Sequence, residues 1–76
     1  MSNFLHKEAE EIKKQALSEA ERLEKQADEK AKQAKYSDAA NLYARAAQYY
    51  YTAGVNFKAN KCWDAESSCL EKVGAA

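Results

Sequence analysis

Apolar positions in the first half of the chain recur every eleven residues. Leu5, Ala9 and Ile12 form one trio, Ala16, Ala20 and Leu23 the next, and Ala27, Ala31 and Ala34 the third. Eleven residues over three turns is about 3.67 per turn, close to the winding of a straight α-helix, so the trios stay on one face with little supercoiling. This spacing predicts a long first helix over about residues 3–35. Toward its end the stripe is all alanine, which lets a neighbouring backbone come close. Glu and Lys fill the other faces. Glu10–Lys14 and Glu21–Lys25 are i,i+4 pairs in the favourable order, each contributing about 0.3 kcal/mol to the helix.

A different pattern follows. Ala39, Tyr43, Ala46, Tyr50, Ala53 and Phe57 stand at alternating spacings of four and three. They make one helical stripe in which small and aromatic residues alternate. A second stripe, Ala40, Ala47 and Tyr51, lies beside it. A helix with two apolar stripes packs against two neighbours, so this one is expected to be central. It is predicted over about residues 37–55, and Tyr50 and Tyr51 are expected in the core. Lys35-Tyr36-Ser37-Asp38 is the best turn before it, with Ser37 or Asp38 as the cap. No Gly or Pro forces that break, so an unbroken rod through Tyr36 is the competing reading. Gly54 and Asn56 end or distort the second helix. A third helix over about residues 58–73 takes its apolar face from Cys62, Trp63, Cys69, Leu70 and Val73. The closing Gly74-Ala75-Ala76 reads as a helix end, or as a chain cut before a further repeat.

Composition supports this reading. Proline is absent from the 76 residues and glycine occurs twice. Ala, Glu, Lys and Gln dominate, and all favour helix. No β-branched run reads as a strand. The expected fold is all-α, a three-helix antiparallel bundle of hairpins with a long first helix. Twelve basic and twelve acidic residues give a net charge of +0. That balance argues against a nucleic-acid binder, which carries a basic excess. It also gives little protection against self-association. There is no signal-peptide pattern, and no apolar run nears the ~20 residues that span a bilayer. A cytoplasmic protein with at most peripheral membrane contact is expected.

Chemistry finds little to work with. His6 is the single histidine, in the first turns of the chain. The carboxylates are spread over polar helix faces. No phosphate-cradling loop or metal-ligand spacing occurs, so neither an enzyme nor a bound cofactor is expected. Cys62 and Cys69 are two helical turns apart, about 10 Å, too far for a disulfide. They read as small buried residues. Tyr49, Tyr50 and Tyr51 fan over about 200° of the helix, so one must leave the core. Tyr49 is the expected exposed aromatic at a binding surface. Arg45, Lys58 and Lys61 are candidate basic partners for it.

Tyr36, Ala39, Tyr43 and Ala46 fit the tyrosine–alanine–aromatic–alanine positions in the second helix of a tetratricopeptide-type (TPR-like) hairpin. The segment from Tyr36 to Cys62 resembles more particularly the repeats of the soluble NSF attachment protein (SNAP) family. Asn60-Lys61-Cys62 and the Phe57–Trp63 element carry that likeness, which covers the C-terminal half of the chain. MIT domains are similar too, since Tyr36, Ala39, Tyr43, Ala46 and Tyr49 match their second-helix pattern and their length suits the chain. The long first helix and the short linker before the third fit MIT domains less well.

These resemblances imply an adaptor in vesicle or membrane trafficking that buries a helical partner in a groove between its helices. The partner would be a SNARE-type bundle or an ESCRT-III-type helix, beside an AAA ATPase complex. The SNAP likeness further implies that the chain is the N-terminal part of a longer helical-repeat protein, or a reduced relative. A self-associating helical bundle, built on the eleven-residue repeat, is the structural alternative.

Overall fold

A computed structural model describes the backbone of residues 2–75 and the side chains of residues 7–75. His6 therefore lies outside the described side chains. Three helices follow in order: α1 (Ser2–Lys32), α2 (Tyr36–Thr52) and α3 (Asn56–Ala75). The described residues contain no strand. Each helix runs antiparallel to the next. Helix α2 packs along both neighbours, while α1 and α3 hardly touch. The central position expected from the two stripes of α2 is what the fold has.

Both connections are built alike. In the first, the amide of Lys35 donates to the carbonyl of Lys30, and that of Ala34 to Ala31. In the second, Val55 donates to Tyr50 and Gly54 to Tyr51. These paired bonds are the Schellman closure of a helix end, which puts one residue in the left-handed region. Gly54 fills that place at φ 79 and Ala34 fills its counterpart at φ 60.

The first turn therefore lies at residues 33–35, earlier than expected, and the rod through Tyr36 is excluded. Lys35 is the residue at the N-cap of α2, with no side-chain cap bond. Ser37 and Asp38 lie inside the helix instead of capping it. Asp38 is the acidic residue of the first turn, where it favours the helix dipole. A left-handed alanine costs about 1–2 kcal/mol. Ala34→Gly is thus expected to raise unfolding stability by about 1 kcal/mol. Gly54→Ala lowers it by a similar amount, because no atom lies within 4 Å of an added Cβ and only backbone strain remains. Urea titrations of both variants check this pair.

The core is mostly alanine. Ala20, Leu23 and Ala27 of α1 meet Ala39, Ala40, Tyr43, Ala46, Ala47 and Tyr50 of α2, and Ala59, Cys62 and Cys69 close the α3 side. Tyr50, Leu23 and Cys62 are the largest fully buried side chains. Small residues bring the backbones together, and the two tyrosines fill the space between α1 and α3.

Three expectations are corrected. Tyr51 is 60% exposed and leans its ring on half-buried Trp63, with ring centroids 6.2 Å apart. Phe57 does not continue the α2 stripe; the chain reverses at Gly54, which leaves Phe57 on α3 and 73% exposed. Leu70 and Val73 are exposed as well, so the packed face of α3 is narrower than its apolar pattern suggested. The two free cysteines are buried, as expected.

Helix α1 is longer than its partner. At 1.5 Å per residue its 31 residues span about 46 Å and the 17 of α2 about 25 Å. Burial in α1 begins at Ala16, and every residue from Lys7 to Gln15 is exposed. The molecule measures 55 × 17 × 13 Å, with the start of α1 projecting beyond the end of α2.

Candidate protein-binding groove

Two tyrosines set the geometry between α1 and α3. The seven-residue spacing of Tyr43 and Tyr50 puts both rings on the side of α2 that faces the gap between its neighbours. Tyr43 donates from its hydroxyl to Asp28 Oδ1. Tyr50 donates to Glu24 Oε1 at 2.5 Å. Glu24 and Asp28 are themselves one turn apart on α1, so two successive turns of α1 and two of α2 are pinned in register. Across the gap, Lys58 Nζ stands 3.5 Å from Glu24 Oε1 and 5.6 Å from the Tyr50 ring centroid.

The result is a seam between α1 and α3 with opposed charges on its two sides. The α1 wall is acidic, carrying Glu24 and Asp28. The α3 wall carries Lys58 beside the Cys62 thiol. Beneath the seam Tyr43 and Tyr50 are both buried. Burial raises the pKa of both hydroxyls, and the bonds to Asp28 and Glu24 raise them further. Burial also pushes the Cys62 thiol up to about 11, which keeps it protonated and a poor nucleophile. The seam therefore holds two hydrogen-bonded carboxylates and a lysine. Among the described residues no cluster of His, Cys, Asp or Glu could hold a metal ion. Among the described residues no helix is long and apolar enough to cross a membrane.

The four residues singled out in the sequence do not form one surface. Lys58 lies in the groove. Lys61 is exposed on α3, its ammonium 5.6 Å from the Phe57 ring centroid. Tyr49 and Arg45 face the opposite flank of α2, beside α1. Tyr49 shares a notch with Ile12, Ala16 and Glu19 and is 38% exposed. Arg45 adds to the positive field at Glu19, whose carboxyl the bond from Arg22 holds below the usual range. Glu24 and Asp28 were missed because, read in one dimension, they belong to a solvated charged face. Their i,i+4 spacing, matching the Tyr43–Tyr50 step within one turn, was the available signal.

No family model, curated protein or solved structure matches the chain.

Proposed function

We propose that this chain is a protein-interaction module that seats a helical partner segment in the α1–α3 groove. The observation that carries the reading is the gap itself: α1 and α3 hardly touch, and the space between them is floored by tyrosine and walled by opposite charges. Such a surface suits an amphipathic helix, whose backbone needs nothing from its receptor and whose side chains supply the contacts. A role in vesicle or membrane trafficking rests on the resemblance of Tyr36–Cys62 to attachment-protein repeats and to MIT domains. The partners to try first are therefore a SNARE helical bundle and ESCRT-III tail peptides.

Titration calorimetry with each partner tests the proposal. Lys58→Glu is expected to weaken binding about tenfold, in the range of a lost charged contact. Tyr49→Ala is expected to leave it unchanged, because Tyr49 lies on the other flank. Circular dichroism controls for folding. Failure of the wild-type chain to bind either class sinks the trafficking reading. Loss on Tyr49→Ala alone moves the binding surface to the α1–α2 flank.

A further inference from the structure

The two turns of this chain share one hydrogen-bonding scheme and differ at the residue that turns left-handed. In the second turn that residue is Gly54, at φ 79; in the first it is Ala34, at φ 60. A Cβ makes the left-handed region costly, and glycine escapes the cost. The first reversal is therefore strained and the second is not. Its neighbours do nothing to force it. Gln33, Ala34 and Lys35 all favour helix, alanine most of all. Lys35 gives no side-chain bond to the start of α2, so nothing in the turn replaces the amide bonds that a continuing helix would supply. Apart from Glu24 at Lys58, α1 is held by α2 and hardly meets α3.

We propose that the first turn opens at residues 33–35, so that α1 runs on into α2 and exchanges places with α1 of a second copy. Each α1 then lies on the other copy's α2. The contacts of the hairpin are made again between chains: Ala20, Leu23 and Ala27 meet Ala39, Ala46 and Tyr50, and Glu24 and Asp28 accept from the Tyr50 and Tyr43 hydroxyls. The occupant of each exposed α2 surface is thus fixed, since the second copy brings the same residues in the same order. Only the turn changes. Ala34 leaves the left-handed region, and the amides of Tyr36, Ser37 and Asp38 gain carbonyl partners one turn back, at Lys32, Gln33 and Ala34. Against this stands the freedom lost when two chains join, which makes the exchange depend on concentration. In the exchanged form the seam belongs to both copies: Glu24 and Asp28 come from one and Lys58 from the other. The second turn stays closed, because Gly54 is unstrained where it is.

Refolding from urea at about 1 mM is expected to yield a fraction of twice 8.5 kDa. On dilution to about 10 μM it should dissociate no faster than the chain unfolds, because α1 must leave α2 in both copies. Ala34→Gly relieves the closed turn and weakens the opened helix, so its association constant should fall at least about a hundredfold, with the monomer folded. A second test uses the shared seam. Glu24→Lys and Lys58→Glu chains, one of them isotope-labelled, are refolded together. Exchange between the two sets opposite charges across both seams, whereas each variant alone sets like charges there. Mass spectrometry should find the mixed dimer well above its statistical share. A wild-type chain wholly monomeric after refolding at about 1 mM overturns the proposal, and so does undiminished dimer from Ala34→Gly. A dimer that falls apart faster than the chain unfolds is a surface association and overturns it too. A statistical mixture of the two charge variants overturns the exchanged seam.

Discussion

Tyr50→Ala is expected to unfold this protein, or nearly so. Tyr50 is the largest of the fully buried side chains and touches all three helices: it belongs to α2, bonds Glu24 of α1 and lies under Lys58 of α3. Truncating a buried aromatic costs about 3–5 kcal/mol, part of it for the cavity left behind. The flanking residues Ala46, Ala47 and Ala59 are already small and cannot move side chains in to fill the space. A domain of this size has a total stability of about 5 kcal/mol. Tyr50→Phe separates the ring from the hydroxyl. It keeps the packing and loses one bond to a carboxylate that Lys58 still faces, for about 1.5 kcal/mol. Thermal or urea unfolding should rank wild type above Tyr50→Phe, with Tyr50→Ala far below both. Equal losses from the two variants would mean that the bond to Glu24, rather than the ring, holds the helices together.

Alkaline solution is expected to unfold the wild-type chain cooperatively. Tyr43, Tyr50 and Cys62 all have raised pKa values, chiefly through burial. In the unfolded chain they lose their protons near the ordinary values of 10 for tyrosine and 9 for cysteine. Above those values the unfolded chain binds fewer protons than the fold, so stability falls as pH rises. The contribution is complete below about pH 9 and declines as pH climbs through the folded value of Cys62, about 11, and on into the higher range of the tyrosines. Each group adds a slope of about 1.4 kcal/mol per pH unit. With the unfolded tyrosines half-ionised at about pH 10 and Cys62 half-ionised in the fold by about pH 11, the three together lose about 3 kcal/mol over that interval. Helicity should collapse over that interval, and tyrosinate absorbance should gain a steep component at the same midpoint. The double variant Tyr43→Phe, Tyr50→Phe starts less stable and declines more gently. Helicity retained through about pH 12, with tyrosinate absorbance complete near the ordinary tyrosine value, would show that the two hydroxyls ionise inside the fold.

The parts of the fold that could be read in advance are those governed by helical period. The middle trio Ala16, Ala20 and Leu23, continued by Ala27, and the alanine–tyrosine alternation mark the buried faces of α1 and α2, because burial there depends on angle around the helix; Ala9 and Ile12 keep the angle but lie beyond the end of α2. Where angle is not enough, the reading slipped. Tyr51 has the right angle for a core residue, but α3 offers it only the edge of Trp63. The first turn came early because an alanine took the left-handed position that glycine takes in the second. No residue type at Ala34 announces this. Lys58 was legible as one of three basic residues near the aromatic cluster, with Arg45 and Lys61. The Tyr43–Asp28 and Tyr50–Glu24 bonds were not, since they join residues 15 and 26 positions apart and depend on how the helices align.

The near absence of contact between α1 and α3 also bears on how the chain is made. Each helix packs on the one synthesised just before it, and little waits on a later segment. The α1–α2 hairpin can close as soon as Thr52 is free of the ribosome, with the Tyr43 and Tyr50 hydroxyls already bonded to Asp28 and Glu24. Helix α3 then adds to a formed surface. Growth in the order of translation suits a small alanine core, which has few large side chains to hold a wrong pairing.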